Sequence, residues 1–107
     1  MGAVVVRYST KADRADDNAR LIEAVFAELG ARRPTGVRYA VFRDGASFVH
    51  VAIVEADDGT NPLTTTPAFV EFQRELGERL EAAPIVADAS VVGSFGFGLD
   101  GERARVH

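Results

Sequence analysis

Two apolar-rich runs near the middle of the chain, Val37–Phe42 and Ser47–Glu55, are joined by Arg-Asp-Gly-Ala. This is the feature that most narrows the possible folds. Asp-Gly between alternating segments signals a β-hairpin, because tight hairpin turns need backbone that glycine adopts without steric cost. An isolated hairpin is only marginally stable, so the flanking segments must complete a sheet and a core. On the N-terminal side, the β-branched run Ala3–Tyr8 reads as a strand, with Ser9, Thr10 and Asp13 as capping side chains for a helix. That helix is expected from about Arg14 to Leu29, where Ala15, Ala19, Ile22, Val25, Phe26 and Leu29 recur on one face and Gly30 stands where a left-handed C-cap belongs. On the C-terminal side, Thr66-Pro67 reads as an N-cap and first helical position, with Phe69, Phe72, Leu76 and Leu80 as the inward face of a second helix. The run Ile85–Phe95 after Pro84 reads as the last strand. The order is β-α-β-β-α-β, an α+β ferredoxin-like arrangement with a four-stranded antiparallel sheet and both helices on one face. Residues 1–96 are expected to form this single domain and residues 97–107 a loosely held tail.

Composition excludes several kinds of chemistry. The chain has 107 residues, a formal net charge of −4 and only one adjacent basic pair, Arg32-Arg33. Such a chain is not expected to bind nucleic acid or an anionic membrane surface. With no cysteine there is no disulfide, thiolate nucleophile or Cys-ligated metal. The first residues lack a basic n-region and a long apolar stretch, so neither a signal peptide nor a membrane span is read there, and the cytoplasm is the expected location. Asp57-Asp58 lacks the further ligands of an EF-hand, and no metal site is expected. "GSFGFG" ends a strand with no helix after it, which removes the dinucleotide-loop reading. No cofactor is expected.

The strands carry apolar side chains on both faces. Val49, Val51 and Ile53 oppose Phe48, Ala52 and Val54, while Ile85, Ala87, Ala89, Val91 and Phe95 oppose Val86 and Val92. A sheet with helices on one side and water on the other needs only one apolar face. The second face is therefore expected to pack against another copy of itself, giving a homodimer.

The stretches "VVVRYSTKADRADDNARLIEAVFAEL", "GVRYAVFRDGASFVHVAI" and "NPLTTTPAFVEFQREL", with the last strand, resemble the dimeric α+β barrel superfamily. Within it the chain is most similar to the antibiotic-biosynthesis-monooxygenase-like group and to small uncharacterised actinobacterial relatives. The resemblance implies two ferredoxin-like protomers packed sheet to sheet, and a cofactor-free monooxygenase or an isomerase- or cyclase-like activity. Haem-degrading members use an Asn on the first strand, a Trp and a His on the second helix. Here the first strand offers Arg7 and Tyr8, there is no Trp, and the second helix has no His, so haem degradation is not implied. The Trp of some quinone-forming oxygenases is missing too, and no catalytic set transfers residue by residue.

Candidate site residues are the polar letters on apolar faces. His50 interrupts the strand "SFVHVAIVEA" between Val49 and Val51, and Asn18 lies inside the stripe of the first helix, with Gln73 at the edge of the second. If Asp44-Gly45 forms a two-residue turn, Arg43 pairs with Ala46 and Tyr39 faces His50, whereas a three-residue loop puts Ala40 opposite His50. In the first register Tyr39, Phe48 and His50 share a face, and if that face meets the helices, His50, Tyr39, Asn18 and Gln73 line one space with Phe69 and Phe72. An apolar pocket with a few convergent polar groups is the usual form of a small-molecule site. His50 and Tyr39 are then the candidate catalytic pair, His50 as general acid or base, with Tyr39 or Asn18 holding a substrate oxygen; Asn18, Gln73, Phe48, Phe69 and Phe72 are the candidate substrate-binding residues. The competing reading makes His50 a core histidine bonded to a neighbour, Tyr39 a cross-strand aromatic, and the protein a non-catalytic dimeric module. Arg7 and Arg38 are expected in ion pairs.

Overall fold

The structure, a computed structural model, describes residues 2–55 and 61–97. Strands β1 (Gly2–Ser9), β2 (Val37–Asp44), β3 (Ser47–Val54) and β4 (Ile85–Ser90) form one sheet in the order β2-β3-β1-β4, every neighbour antiparallel. Helix α1 (Ala15–Arg32) follows a single 3-10 turn at Ala12–Arg14, and the second helical segment is split into α2 (Pro67–Gln73) and α3 (Leu76–Arg79). The helices cover one face of the sheet, and the chain has the ferredoxin-like α+β fold. Among the described residues no helix is long and apolar enough to cross a membrane. The Asp57-Asp58 loop and the tail from residue 98 lie outside the described residues.

Pairing fixes which side chains reach the helices. Val6 lies opposite His50 and Tyr8 opposite Phe48 across β1 and β3, so Val4, Val6, Tyr8, Phe48, His50 and Ala52 share the helix-facing side. The core forms there from Tyr8, Ala15, Ile22, Val25, Phe48, Leu63, Phe69, Phe72 and Leu80, all buried. Glu28 of α1 accepts the Ala68 N–H at 2.8 Å, which satisfies one of the free donors at the start of α2 and ties the two helices together.

Five expectations are corrected. The hairpin turn is Gly45-Ala46, not Asp44-Gly45: Asp44 pairs with Ser47, so Val41 faces His50 and Tyr39 faces Ala52. Gly45 has φ 62°, which suits the first central position of a type II′ turn, and Thr10 N–H bonds the Ala46 carbonyl at 2.8 Å. The slip from the two-residue register is two places, so Tyr39 and His50 remain on one face. Helix α1 runs through Gly30 and ends at a left-handed Arg33, whose N–H bonds the Leu29 carbonyl at 2.7 Å; Pro34 blocks any continuation. No side chain of Ser9, Thr10 or Asp13 caps it.

The second helix is not continuous, because Glu75 adopts φ 74° and Leu80 is extended, drawn into a bridge with Thr10. The last strand ends at Ser90 rather than Phe95. Its pairing with β1 runs from Ile85 opposite Arg7 to Ser90 opposite Gly2, the first described residue. Val92 and Phe95 are fully exposed.

Candidate functional site

His50 sits at the middle of β3, buried among rings. Phe72 of α2 lies 5.5 Å from it between centroids, and Tyr8 and Tyr39 flank it at 5.2 and 5.8 Å. Both ring nitrogens are engaged: Nε2 meets the Tyr8 hydroxyl at 2.7 Å and Nδ1 meets the Tyr39 hydroxyl at 2.6 Å. Tyr39 reaches His50 diagonally across the hairpin, held between Phe26 of α1, stacked at 5.0 Å, and Phe69 of α2, edge-on at 6.3 Å.

The network continues away from His50. Asn18 of α1, with no exposed surface, donates Nδ2–H to the Tyr8 hydroxyl at 2.9 Å. Its Oδ1 accepts from Nε of Arg79 at 3.0 Å, and Arg79 donates a second bond to the Phe72 carbonyl at 2.7 Å. Arg79 is buried, and among the described residues no carboxylate lies within ion-pair distance of it. Five side chains from five elements thus form one row: Arg79, Asn18, Tyr8, His50 and Tyr39. No buried side-chain polar atom among the described residues lacks a partner.

Burial sets the protonation states. Desolvation lowers His50 to about 4, so the ring is neutral near pH 7. Tyr8 is pushed up to about 12 by burial, opposed by the Asn18 hydrogen bond and the Arg79 charge. Burial also raises Tyr39, further still, and the nearby Tyr8 adds to it. Desolvation lowers Arg79 from its ordinary value.

Beside this row lies a cavity of about 490 Å³ between the sheet and α2. Tyr39, His50 and Tyr8 form one polar wall; Val6, Ala52, Leu63, Phe69, Phe72 and Leu76 are among the apolar lining residues, and Asn61, Thr64, Gln73 and Asp88 add further polar groups. The structure therefore brings His50, Tyr39, Phe69, Phe72 and Gln73 to one space. Gln73 is an exposed residue. Asn18 and Phe48 do not line it: Asn18 stands behind Tyr8, and Phe48 stacks under Tyr8 at 5.5 Å. Arg38 meets Glu55 at 3.5 Å, and Arg7 lies on the other face of the sheet. No group of three or more His, Cys, Asp or Glu gathers among the described residues.

Three residues of the site were missed in the sequence: Tyr8, Arg79 and Leu63. Tyr8 closes the apolar run Ala3–Tyr8 with a polar-tipped ring, and that was its signal. Arg79 lies seven residues after Phe72, on the inward stripe of an α-helix, and that spacing was its signal. Leu63 is buried against the cavity although it sits in the polar stretch before Thr66; its side-chain class was the only hint.

The four-stranded ferredoxin-like fold is shared with solved proteins. Rv0793 from Mycobacterium tuberculosis superposes with TM-score 0.68 and 18% identity, covering 87% of this chain and 96% of that one. A Nitrosomonas europaea protein provisionally assigned as an antibiotic biosynthesis monooxygenase gives TM-score 0.71 at 12% identity, over 87% and 100%. A Caulobacter crescentus protein with the same provisional assignment gives 0.69 at 17% identity, over 86% and 90%. At these identities the likeness establishes the fold. No protein-family model matches the sequence. No curated protein matches it.

Proposed function

We propose that the chain binds a small apolar, aromatic-type compound in the cavity under α2 and acts on it without a cofactor, as a monooxygenase-like protein. The cavity supports this reading: about 490 Å³ of mostly apolar wall meets one cluster of neutral polar groups, Tyr39, His50 and Tyr8. The names of the similar Nitrosomonas and Caulobacter proteins point the same way. In the proposal Tyr39 meets the ligand and His50, with both nitrogens on tyrosines, exchanges protons with it through Tyr39.

Isopropylnaphthalene is a direct test. Wild-type protein is expected to bind it with quenching of the probe's fluorescence. Ala52→Phe, which fills the cavity from β3, is expected to weaken binding at least about tenfold, equivalent to roughly 1.4 kcal/mol. Binding that survives Ala52→Phe places the probe elsewhere and refutes the reading.

The proposal includes a homodimer through the outer face of the sheet, where Val5, Val49 and Val51 lie on the side away from the helices and Phe42 is 44% exposed. It also keeps the cytoplasm as the working location, since a cysteine-free chain gains nothing from an oxidising compartment. The apolar outer face and the exposed Val92 and Phe95 support a second reading, a dimeric interaction module without chemistry. Failure of the wild-type protein to bind the probe would favour it.

A further inference from the structure

The row of five side chains has a direction, and the direction follows from what each group is able to donate. Arg79 is a donor only, so the atom of Asn18 that meets it is the carbonyl oxygen and the amide nitrogen must face Tyr8. The Tyr8 oxygen therefore accepts from Asn18. Among the described residues its other partner is His50 Nε2. If Tyr8 donates its single proton there, Nε2 is the unprotonated nitrogen, Nδ1 carries the hydrogen, and Nδ1–H donates to the Tyr39 oxygen. In the opposite arrangement the Tyr8 oxygen accepts twice and its own proton has no partner among the described residues, although Tyr8 is only 7% exposed at the cavity wall while Tyr39 is half-buried. A stranded buried donor is costly, so the first arrangement is preferred. It leaves one proton unused, on the hydroxyl of Tyr39, which lines the cavity.

We propose that this relay is polarised from Arg79 to Tyr39, so that the cavity presents a hydrogen-bond donor and selects ligands carrying an acceptor oxygen, such as a carbonyl. The inference rests on the proposed ligand-binding function and adds the chemistry of recognition. It also gives Arg79 and Asn18 a role without contact to the ligand: they are positioning residues that set the tautomer of His50.

Asn18→Asp separates this role from a merely structural one. The introduced carboxylate still accepts from Arg79, and with that cation beside it stays ionised. It can no longer donate to Tyr8. Tyr8 would then donate to it, Nε2–H of His50 would donate to Tyr8, and the Tyr39 proton would be used on Nδ1. The relay would reverse while its shape is retained.

The experiment compares methyl naphthyl ketone with isopropylnaphthalene, which has nearly the same shape and no acceptor, and reads the His50 tautomer by nitrogen-15 NMR. Wild-type protein is expected to hold His50 protonated at Nδ1 and to bind the ketone about tenfold more tightly than the hydrocarbon, the scale of one net hydrogen bond. In Asn18→Asp the proton is expected at Nε2, with the ketone preference lost and hydrocarbon affinity retained. Tyr39→Phe, which removes the terminal donor without disturbing Arg79 or Asn18, is expected to abolish the preference as well. A wild-type His50 protonated at Nε2, or a ketone preference that survives either variant, overturns the inference. Binding of both probes to the wild type with equal affinity overturns the recognition role alone; binding of neither overturns the proposed function and this role together.

Discussion

The neutrality of His50 makes a quantitative prediction about stability. In the unfolded chain the imidazole titrates near its ordinary value of about 6.5; in the native protein burial holds it at about 4. Between those values the unfolded state binds a proton that the native state refuses. Stability attributable to His50 is therefore complete above pH 6.5 and falls as pH drops toward 4. Each unit of difference is worth about 1.4 kcal/mol, so the full loss is roughly 3 kcal/mol, with about 1 kcal/mol already gone at about pH 5.5 and between about 2 and 3 at about pH 4.5. These are substantial fractions of the total for a domain of this size.

The measurement is a series of urea midpoints from neutral pH down to about pH 4.5, on wild-type protein and on His50→Gln, with the denaturant slope checked for constancy. Carboxylates protonate over part of the same range and destabilise both proteins alike. The difference between the two curves isolates the histidine. His50→Gln is expected to be less stable at neutral pH, because it cannot serve both tyrosines, and the gap is expected to narrow as the pH falls. Two parallel curves would refute the reasoning: they would mean that native His50 titrates like an unfolded histidine, which its position between Tyr8, Tyr39 and Phe72 does not allow.

The relay also ranks its members. Tyr8→Phe strands both the Asn18 amide and His50 Nε2 in the interior and is expected to cost about 1–3 kcal/mol, whereas Tyr39→Phe, beside the cavity, is expected to cost about 1 kcal/mol or less in the same urea assay. Arg79→Leu leaves Asn18 Oδ1 and the Phe72 carbonyl without their donor; a loss of about 2 kcal/mol is expected, and its absence would mean that removing the buried charge compensates. Val51→Glu puts a charge at the centre of the outer sheet face, and sedimentation at several concentrations is expected to show a dimer for the wild type and a monomer for the variant; a wild-type monomer at micromolar concentration would refute the sheet-to-sheet assembly.

Much of the fold was legible because periodicity reports burial directly. The alternation in Ser47–Glu55 placed Phe48, His50 and Ala52 on one side of β3, and the structure has them there. The 3.6-residue stripe of α1 contained Asn18, and Asn18 is fully buried. What periodicity does not carry is the end of each element, which depends on partners far away in sequence. The last strand looked as long as its apolar letters, but its length is set by pairing with β1, which among the described residues ends with Ser90 opposite Gly2. The stripe of the second helix continued to Leu80, but Ser9 and Lys11, flanking the Thr10–Leu80 bridge, hold Glu81 and Arg79 by backbone bonds that no local pattern reveals. The hairpin turn was misplaced by one residue at its centre. The meeting of Tyr39 with His50 survived because a two-place slip in register preserves the face.

The site itself follows from where charge is tolerated. An unpaired ion buried at the inner wall, where Tyr39, His50 and Tyr8 stand, would carry a large desolvation cost, whereas Asp88, which also lines the cavity, is an exposed residue. The one buried cation among the described residues, Arg79, stands at the far end of the row, where Asn18, the Phe72 carbonyl and the Phe72 ring, 5.4 Å from the guanidinium carbon, receive it. From there to the cavity every group is neutral: an amide, a phenol held protonated near 12, an imidazole held unprotonated near 4, and a second phenol raised further. Burial acts in opposite directions on the two kinds of group, upward on phenols and downward on imidazole, and each shift moves the group further from the ionised form. A neutral row is still not featureless, since hydrogen bonds in a low-dielectric interior polarise one another along their length. Arg79 therefore acts on the cavity through the order of the bonds between them rather than through its own field, and the polar letters written into otherwise apolar stretches at Tyr8, Asn18, Tyr39 and His50 are parts of one device.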